Sequence, residues 1–232
     1  MQKLILSSIL IFSVYFNIQA EVQLKITLLN GTENIVSTSD SIDEIFGVKS
    51  HLSFNEKGKC ITKYEHKSPI KKIDNISELV NLKKVSLYME LNSFSDFTVF
   101  ESNKIESLCM SFGLSEDCLF SMQKMPMLKI VYLQSMEINS MENIDLSNTQ
   151  LEYFEISSSN LTKVNGCKFP KSLQYLNIRG NEYIEFDSQT IDDINMKQIT
   201  VVTDKMIEGI TKQIIGNEYY RLLPETFRSF GP

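Results

Sequence analysis

Tyr132, Tyr153 and Tyr175 recur at nearly equal steps along the chain, and Ile130, Glu155, Asn177 and Arg179 stand within a few residues of them. Aromatic rings flanked by a carboxylate, an amide and a guanidinium are the groups that carry recognition at protein surfaces. These seven residues are the candidate binding site. The same tyrosines also suit ordinary neighbours within a sheet, where a cross-strand pair contributes about 0.2–1 kcal/mol.

Catalytic chemistry has less footing. His51 and His66 are the two histidines, and both lie well before the tyrosines. No nucleophile elbow, HExxH pair or glycine-rich phosphate loop occurs. Glu152 and Glu155 form a carboxylate pair of the type used in glycoside hydrolysis, but paired surface carboxylates more commonly serve as solvated charge. The chain is expected to be no enzyme and to need no cofactor. Cys60, Cys109, Cys118 and Cys167 have neither CxxC spacing nor a neighbouring histidine, so no metal is expected. Two disulfides are conceivable in three connectivities, and the sequence does not choose among them.

The first twenty residues read as a secretory signal peptide. Lys3 opens them, an apolar run from Leu4 to Phe16 follows, and Ala20 supplies a small residue for cleavage. That run is too short to span a bilayer, and no membrane span is expected. The formal charge of −6 gives no general attraction for nucleic acid. Residues 57–84 nonetheless hold eight lysines against Glu65, Asp74 and Glu78, a local basic flank that reads as solvated charge. Asn30, Asn75 and Asn160 each begin an Asn-x-Ser/Thr sequon and are the glycosylation candidates of a secreted chain.

What must position the tyrosines is a repeat. LKKVSL, IESLCM, LKIVYL, LEYFEI and LQYLNI, with MKQITV as a weaker sixth, begin at Leu82, Ile105, Leu128, Leu151, Leu173 and Met196, a spacing of 22 or 23 throughout. Each is apolar at its first, fourth and sixth places. The last two, from Val85/Leu87 to Ile199/Val201, lie on one face of an extended strand. The residue between them, and the one two before it, face the other way: Ser86, Cys109, Tyr132, Glu155, Asn177 and Thr200 in one row, Lys84, Ser107, Ile130, Tyr153, Tyr175 and Gln198 in the next. A template that returns in the same direction requires parallel strands. The core then lies between them and a return path bearing Phe97, Phe100, Phe120, Met122, Ile144, Leu146, Val164, Phe169, Phe186 and Ile191.

These segments resemble the leucine-rich repeat family. Leu173-Gln-Tyr-Leu176-Asn-Ile178-Arg-Gly-Asn181-Glu-Tyr183 fits the family's LxxLxLxxNxL segment, with Tyr183 at the last apolar place. The asparagine place is filled elsewhere by Glu90, Gly113, Met136, Ser159 and Asp204; in the family that asparagine bonds the backbone of the following turn. The resemblance covers about residues 76–207. It implies an α/β solenoid, a short horseshoe with a concave parallel β-sheet and a mostly irregular or 3-10 convex side. The expected divisions are a signal peptide over 1–20, an N-terminal cap and first incomplete repeat over 21–81, the repeat array over 82–204, and a C-terminal cap and tail over 205–232.

Within the first flank, Val22–Leu28 alternates as a strand before the Asn30-Gly31 turn. His51–Phe54 and Cys60–Tyr64 read as a hairpin around Lys57-Gly58-Lys59, and Ile70, Ile73, Ile76 and Leu79 as a return path. Lys205–Tyr220 has spacings that suit a short amphipathic helix, and Leu223–Phe227 looks like another return. Similar secreted proteins serve in immune recognition, adhesion or enzyme inhibition. The resemblance therefore implies a secreted extracellular protein that binds another macromolecule, most simply a protein, through the concave face. The alternative is a structural or self-assembling matrix component.

Overall fold

The structure, a computed structural model, describes residues 20–88, 104–111 and 116–216. The readings placed on residues 1–19, on Glu90, Phe97, Phe100 and Gly113, and on everything from Asn217 lie outside the described residues.

In β1 (Glu21–Leu28), Val22, Leu24, Ile26 and Leu28 are buried and alternate with more exposed polar residues, the period of a half-buried strand. Gly31, at φ 83, turns the chain into β2 (Glu33–Ser39), which runs antiparallel to β1. β3 (Glu44–Val48), β4 (His51–Glu56) and β5 (Lys59–Glu65) make an antiparallel meander. Lys57 and Gly58, at φ 50 and 75, form its second turn, the left-handed pair that a two-residue hairpin demands. β6 (Ile70–Asp74) then returns to the free side of β1, completing a three-stranded sheet in the order β2-β1-β6.

From there the chain advances by parallel strands. β7 (Lys84–Tyr88), β8 (Ser107–Ser111) and β9 (Ile130–Gln134) are followed, after the short β10 (Ser140–Glu142), by β11 (Tyr153–Ser157). Beyond β12 (Lys163–Asn165) come β13 (Tyr175–Asn177), β14 (Glu185–Phe186), β15 (Thr200–Thr203) and β16 (Gln213–Ile215). Strands β10, β12 and β14 pair with one another behind the main sheet. The main sheet has ten strands in the order β16-β15-β13-β11-β9-β8-β7-β3-β4-β5. One row of fully buried residues crosses it: Phe54, Ile45, Val85, Leu108, Val131, Phe154, Leu176 and Val201. Opposite them lie Met122, Ile138, Met141, Ile144, Leu146, Leu161, Val164 and Phe169 from the return paths, in one continuous core.

This corrects the α/β solenoid with a horseshoe shape and a mostly irregular or 3-10 convex side. Over the described residues the chain is predominantly β, organised as a ten-stranded mixed sheet and two three-stranded sheets. Through Ile215, helix among the described residues is confined to α1 (Asp117–Met122), α2 (Ser188–Met196) and one 3-10 turn at Ile76–Glu78. Two physical reasons underlie the difference. The alternating, β-branched segment before Asn81 extends the main sheet, because β3 pairs in parallel with β7 from Glu44↔Lys84 to Val48↔Tyr88. Several return paths are extended enough to pair with each other, so the rear wall is itself a sheet.

Three local expectations also change. β15 is displaced by two residues, with Leu176 opposite Val201 rather than Ile199. Helix α2 occupies the preceding return and leaves Met196, the supposed first apolar place, 76 % exposed. Its start is set by Asp187, whose carboxylate accepts the Thr190 N–H at 2.8 Å, an N-cap legible in the Asp-Ser-Gln-Thr run. Over residues 205–215 the chain forms turns and β16 rather than a helix. Phe120, assigned to the core, is 49 % exposed on α1.

The turns are tied from coil to coil by side chains. Asn181 accepts the N–H groups of Ser159 and Leu161 and donates to the carbonyls of Ile156 and Ile178. One coil earlier, Ser159 stands at the same place, and its shorter hydroxyl still takes the Met136 N–H at 3.1 Å. Gly180 approaches the neighbouring coil so closely that a Cβ would lie 2.5 Å from Ser158 Oγ, and its φ is 72. Its N–H is bound by Asp204 at 2.6 Å, a bond that holds the Asp204 carboxyl below its ordinary range.

Leu133 and Phe120 separate this core from a generic apolar count. Leu133→Ala is expected to lower the free energy of unfolding by about 2–5 kcal/mol, whereas Phe120→Ala should change it by about 0.5 kcal/mol or less. Denaturant melts of both variants test this, and equal effects would place the core wrongly.

Candidate functional site

The face of the main sheet turned away from the core carries a second, separate apolar cluster. Cys109, Tyr132, Tyr153 and Val202 are buried in it, with Tyr88, Ile130, Tyr175 and Ile214 packed around them. The parallel register explains the grouping: Cys109, Tyr132, Glu155, Asn177, Val202 and Ile214 form one cross-strand row. Ile130, Tyr153 and Tyr175 form the row beside it. The Tyr132 and Tyr153 ring centroids are 4.8 Å apart, and those of Tyr153 and Tyr175 6.5 Å, separations at which aromatic pairs attract. On β3, Phe46 is 41 % exposed and lies 6.1 Å from the Tyr88 ring, so the aromatic strip continues past the repeat segments.

Polar groups lock this strip. Tyr153 donates to Glu155 Oε2 at 2.5 Å, Ser157 donates to Oε1 at 2.7 Å, and Asn177 Nδ2 donates to Oε2 at 2.9 Å and to the Tyr153 hydroxyl at 3.1 Å. Burial, reinforced by the Glu155 charge, pushes the Tyr153 hydroxyl well above the usual phenol range. Arg179 Nε reaches Asp204 Oδ1 at 3.2 Å. The Glu155 carboxylate is therefore an acceptor held by three donors, an arrangement that stiffens the surface.

The structure brings six of the seven predicted residues onto one face, sets Arg179 in the turn just past β13, and divides them by depth. Tyr132, Tyr153 and Asn177 are buried; Ile130, Glu155, Tyr175 and Arg179 are partly exposed. The first group positions, and the second can be touched. Phe46, Tyr88, Ser157 and Val202 were missed. The alternation in Glu44–Val48 would have yielded Phe46, and the two-residue slip hid Val202. Asn30, Asn75 and Asn160 lie at exposed positions, the latter two with φ 67 and 57.

The four thiols are free. Burial pushes Cys109 and Cys167 up to about 11 and Cys118 higher still, while Cys60 on β5 is exposed. Thiolates are the reactive form. One cysteine is therefore expected to react with maleimide in the native protein and the remaining three only after denaturation; a second fast thiol would contradict the burial.

A cleft of about 370 Å³ lies where β2 meets β5, lined by Asn34, Tyr64 and His66 among others. Tyr64 donates to the Ser37 carbonyl at 2.8 Å, and Asn34 Nδ2 donates to His66 Nδ1 at 3.2 Å. That bond fixes neutral His66 with its proton on Nε2, which is buried without a partner among the described residues. Burial lowers the His66 pKa, so below about pH 6.5 the unfolded chain takes up a proton before the folded one does. Stability is then lost as pH falls through that window. The melting temperature should drop between pH 7.5 and 5.5 by more in the native chain than in His66→Gln; identical profiles would show that His66 titrates normally.

No protein-family model, curated protein or solved structure matches this chain. No helix among the described residues is long and apolar enough to cross a membrane.

Proposed function

We propose that this chain is a secreted, non-catalytic binding protein that recognises an extracellular protein through the outer face of its ten-stranded sheet. One observation carries this reading. A sheet face turned from the core is ordinarily polar and solvated, yet here it bears an aromatic strip from Phe46 through Tyr88, Tyr132 and Tyr153 to Tyr175. The exposed end at Phe46 and the half-buried Ile130 and Tyr175 supply contact area. Glu155 and the Arg179–Asp204 pair supply a polar rim, the usual anatomy of a recognition site.

The segments that resemble leucine-rich repeats furnish five of the strands in this face and support its use in recognition. Secretion is supported by the signal-like first twenty residues and by the exposed Asn30, Asn75 and Asn160. The acidic balance favours a protein partner over nucleic acid.

The test is capture from the native extracellular fluid on immobilised mature chain, followed by mass spectrometry, with Phe46→Ser/Tyr175→Ala beside the native sequence. The variant should be secreted normally and melt within about 4–8 °C of the native protein, while retention of the captured partner falls at least about tenfold. Equal retention by both would remove this face as the site.

A further inference from the structure

We propose that Asn30 carries an N-linked glycan whose first sugar seats in the cleft between β2 and β5. Asn30 is exposed in the β1–β2 turn and begins the sequon that Thr32 completes. Both residues line the cleft, so a sugar attached there starts at its mouth. Asn30 Oδ1 accepts the Thr32 N–H at 3.0 Å, which directs Nδ2 away from the turn. That nitrogen donates to nothing among the described residues. The other two sequons differ. Asn75 Nδ2 donates to the Gln23 carbonyl at 3.2 Å, and Thr162 gives both its N–H and its hydroxyl to the Asn139 carbonyl, at 2.8 and 3.1 Å.

The lining suits a ring with an apolar face and a polar rim. Leu28 and Val36 are buried in it, Ile35 is 62 % exposed, and Tyr64 is half-buried with its hydroxyl held by the Ser37 carbonyl. Asn34 and Lys67 add polar groups. An N-acetylhexosamine matches this composition, with C–H groups on one face and hydroxyl and acetamide groups around the ring. The cleft volume lies within the range of small-molecule pockets, about 300–1,000 Å³. Seating the apolar face takes Ile35 and Tyr64 out of water. β2 is also an edge strand of its sheet, and an exposed apolar edge invites pairing with another chain. A glycan beside Ile35 closes that route.

The inference rests on the proposed secretion, which brings the chain to the sugar donor, a lipid-diphosphate-linked oligosaccharide. In the transfer Asn30 Nδ2 bonds to the anomeric carbon of the donor, the bond from that carbon to the diphosphate oxygen breaks, and the lipid diphosphate leaves. The amide gives up one proton.

Peptide mass mapping and melts of the full chain, secreted from a glycosylating host, test the proposal. Asn30 should be occupied in the native sequence, and Asn75→Gln with Asn160→Gln then leaves it as the one acceptor. Trimming this glycan to its first sugar with an endoglycosidase should leave Tm unchanged. Removing that sugar as well, with an amidase that converts the asparagine to aspartate, should lower Tm by about 2–4 °C. In Ile35→Ser, which deletes the apolar contact, this second step should cost less than about 1 °C. A Tm that falls on trimming but not on the final removal, or an equal loss in Ile35→Ser, would overturn the seating. Asn30 bare beside an occupied Asn75 or Asn160 would overturn the inference alone, whereas a chain bare at all three sequons would overturn it together with secretion.

Discussion

A parallel strand can be reached only by carrying the chain back to its starting edge, and here the return is made in fewer than twenty residues along most of the sheet. That length leaves little room for a long helix. Among the described residues the rear wall is built from extended pieces, turns, the six-residue α1 and the nine-residue α2, and the core between the walls is thin. The inward strand residues of one coil therefore sit above those of the coil before, which is why Val85, Leu108, Val131, Phe154 and Leu176 fall in one row. The tight turns expose backbone groups that regular pairing cannot satisfy. Asn181, Ser159 and Asp204 supply the missing partners, and an unmet buried donor would cost about 1–3 kcal/mol.

The same stacking creates the outer face. A register that aligns apolar residues inward also aligns whatever lies between them outward, so three tyrosines from three coils meet without being close in sequence. Their packing leaves Tyr153 with no exposed surface and assigns it the work of holding Tyr132 and Tyr175. The ring edges and the Glu155 network behave as one stiff unit. Stiffness is useful at a recognition surface because less freedom is lost on binding.

The phase of the five strong segments was legible because strand parity and a fixed spacing act on every copy at once. So were the hairpins at Asn30-Gly31 and Lys57-Gly58, where turn chemistry is local. The rear wall was not, since Ile144, Leu146 and Val164 satisfy the same apolar spacing whether their backbone is irregular or paired. Membership of β3 in the main sheet was hidden because Glu44–Val48 finds β7 only across an intervening hairpin and β6. The slip at β15 came from α2, which uses two more residues than the other returns. At the candidate site, parity gave the side of the sheet for the six residues that lie on strands, while Arg179 falls in the turn past β13. Depth depended on the rings packing across strands, which a linear pattern does not contain.

The pairing of β3 with β7 also sets an order of events during synthesis. Ile45 and its partner Val85 stand forty residues apart, whereas later neighbours in the sheet are separated by about half that. At about 5–20 residues added per second, the β3 edge waits roughly 2–8 s for its parallel neighbour to emerge. Until then Ile45 is held on one side only, by the hairpin that joins β3 to β4. The tight turn at Lys57-Gly58 completes the meander locally in that interval, so the growing sheet has a finished template on which β7 and each later strand can be laid.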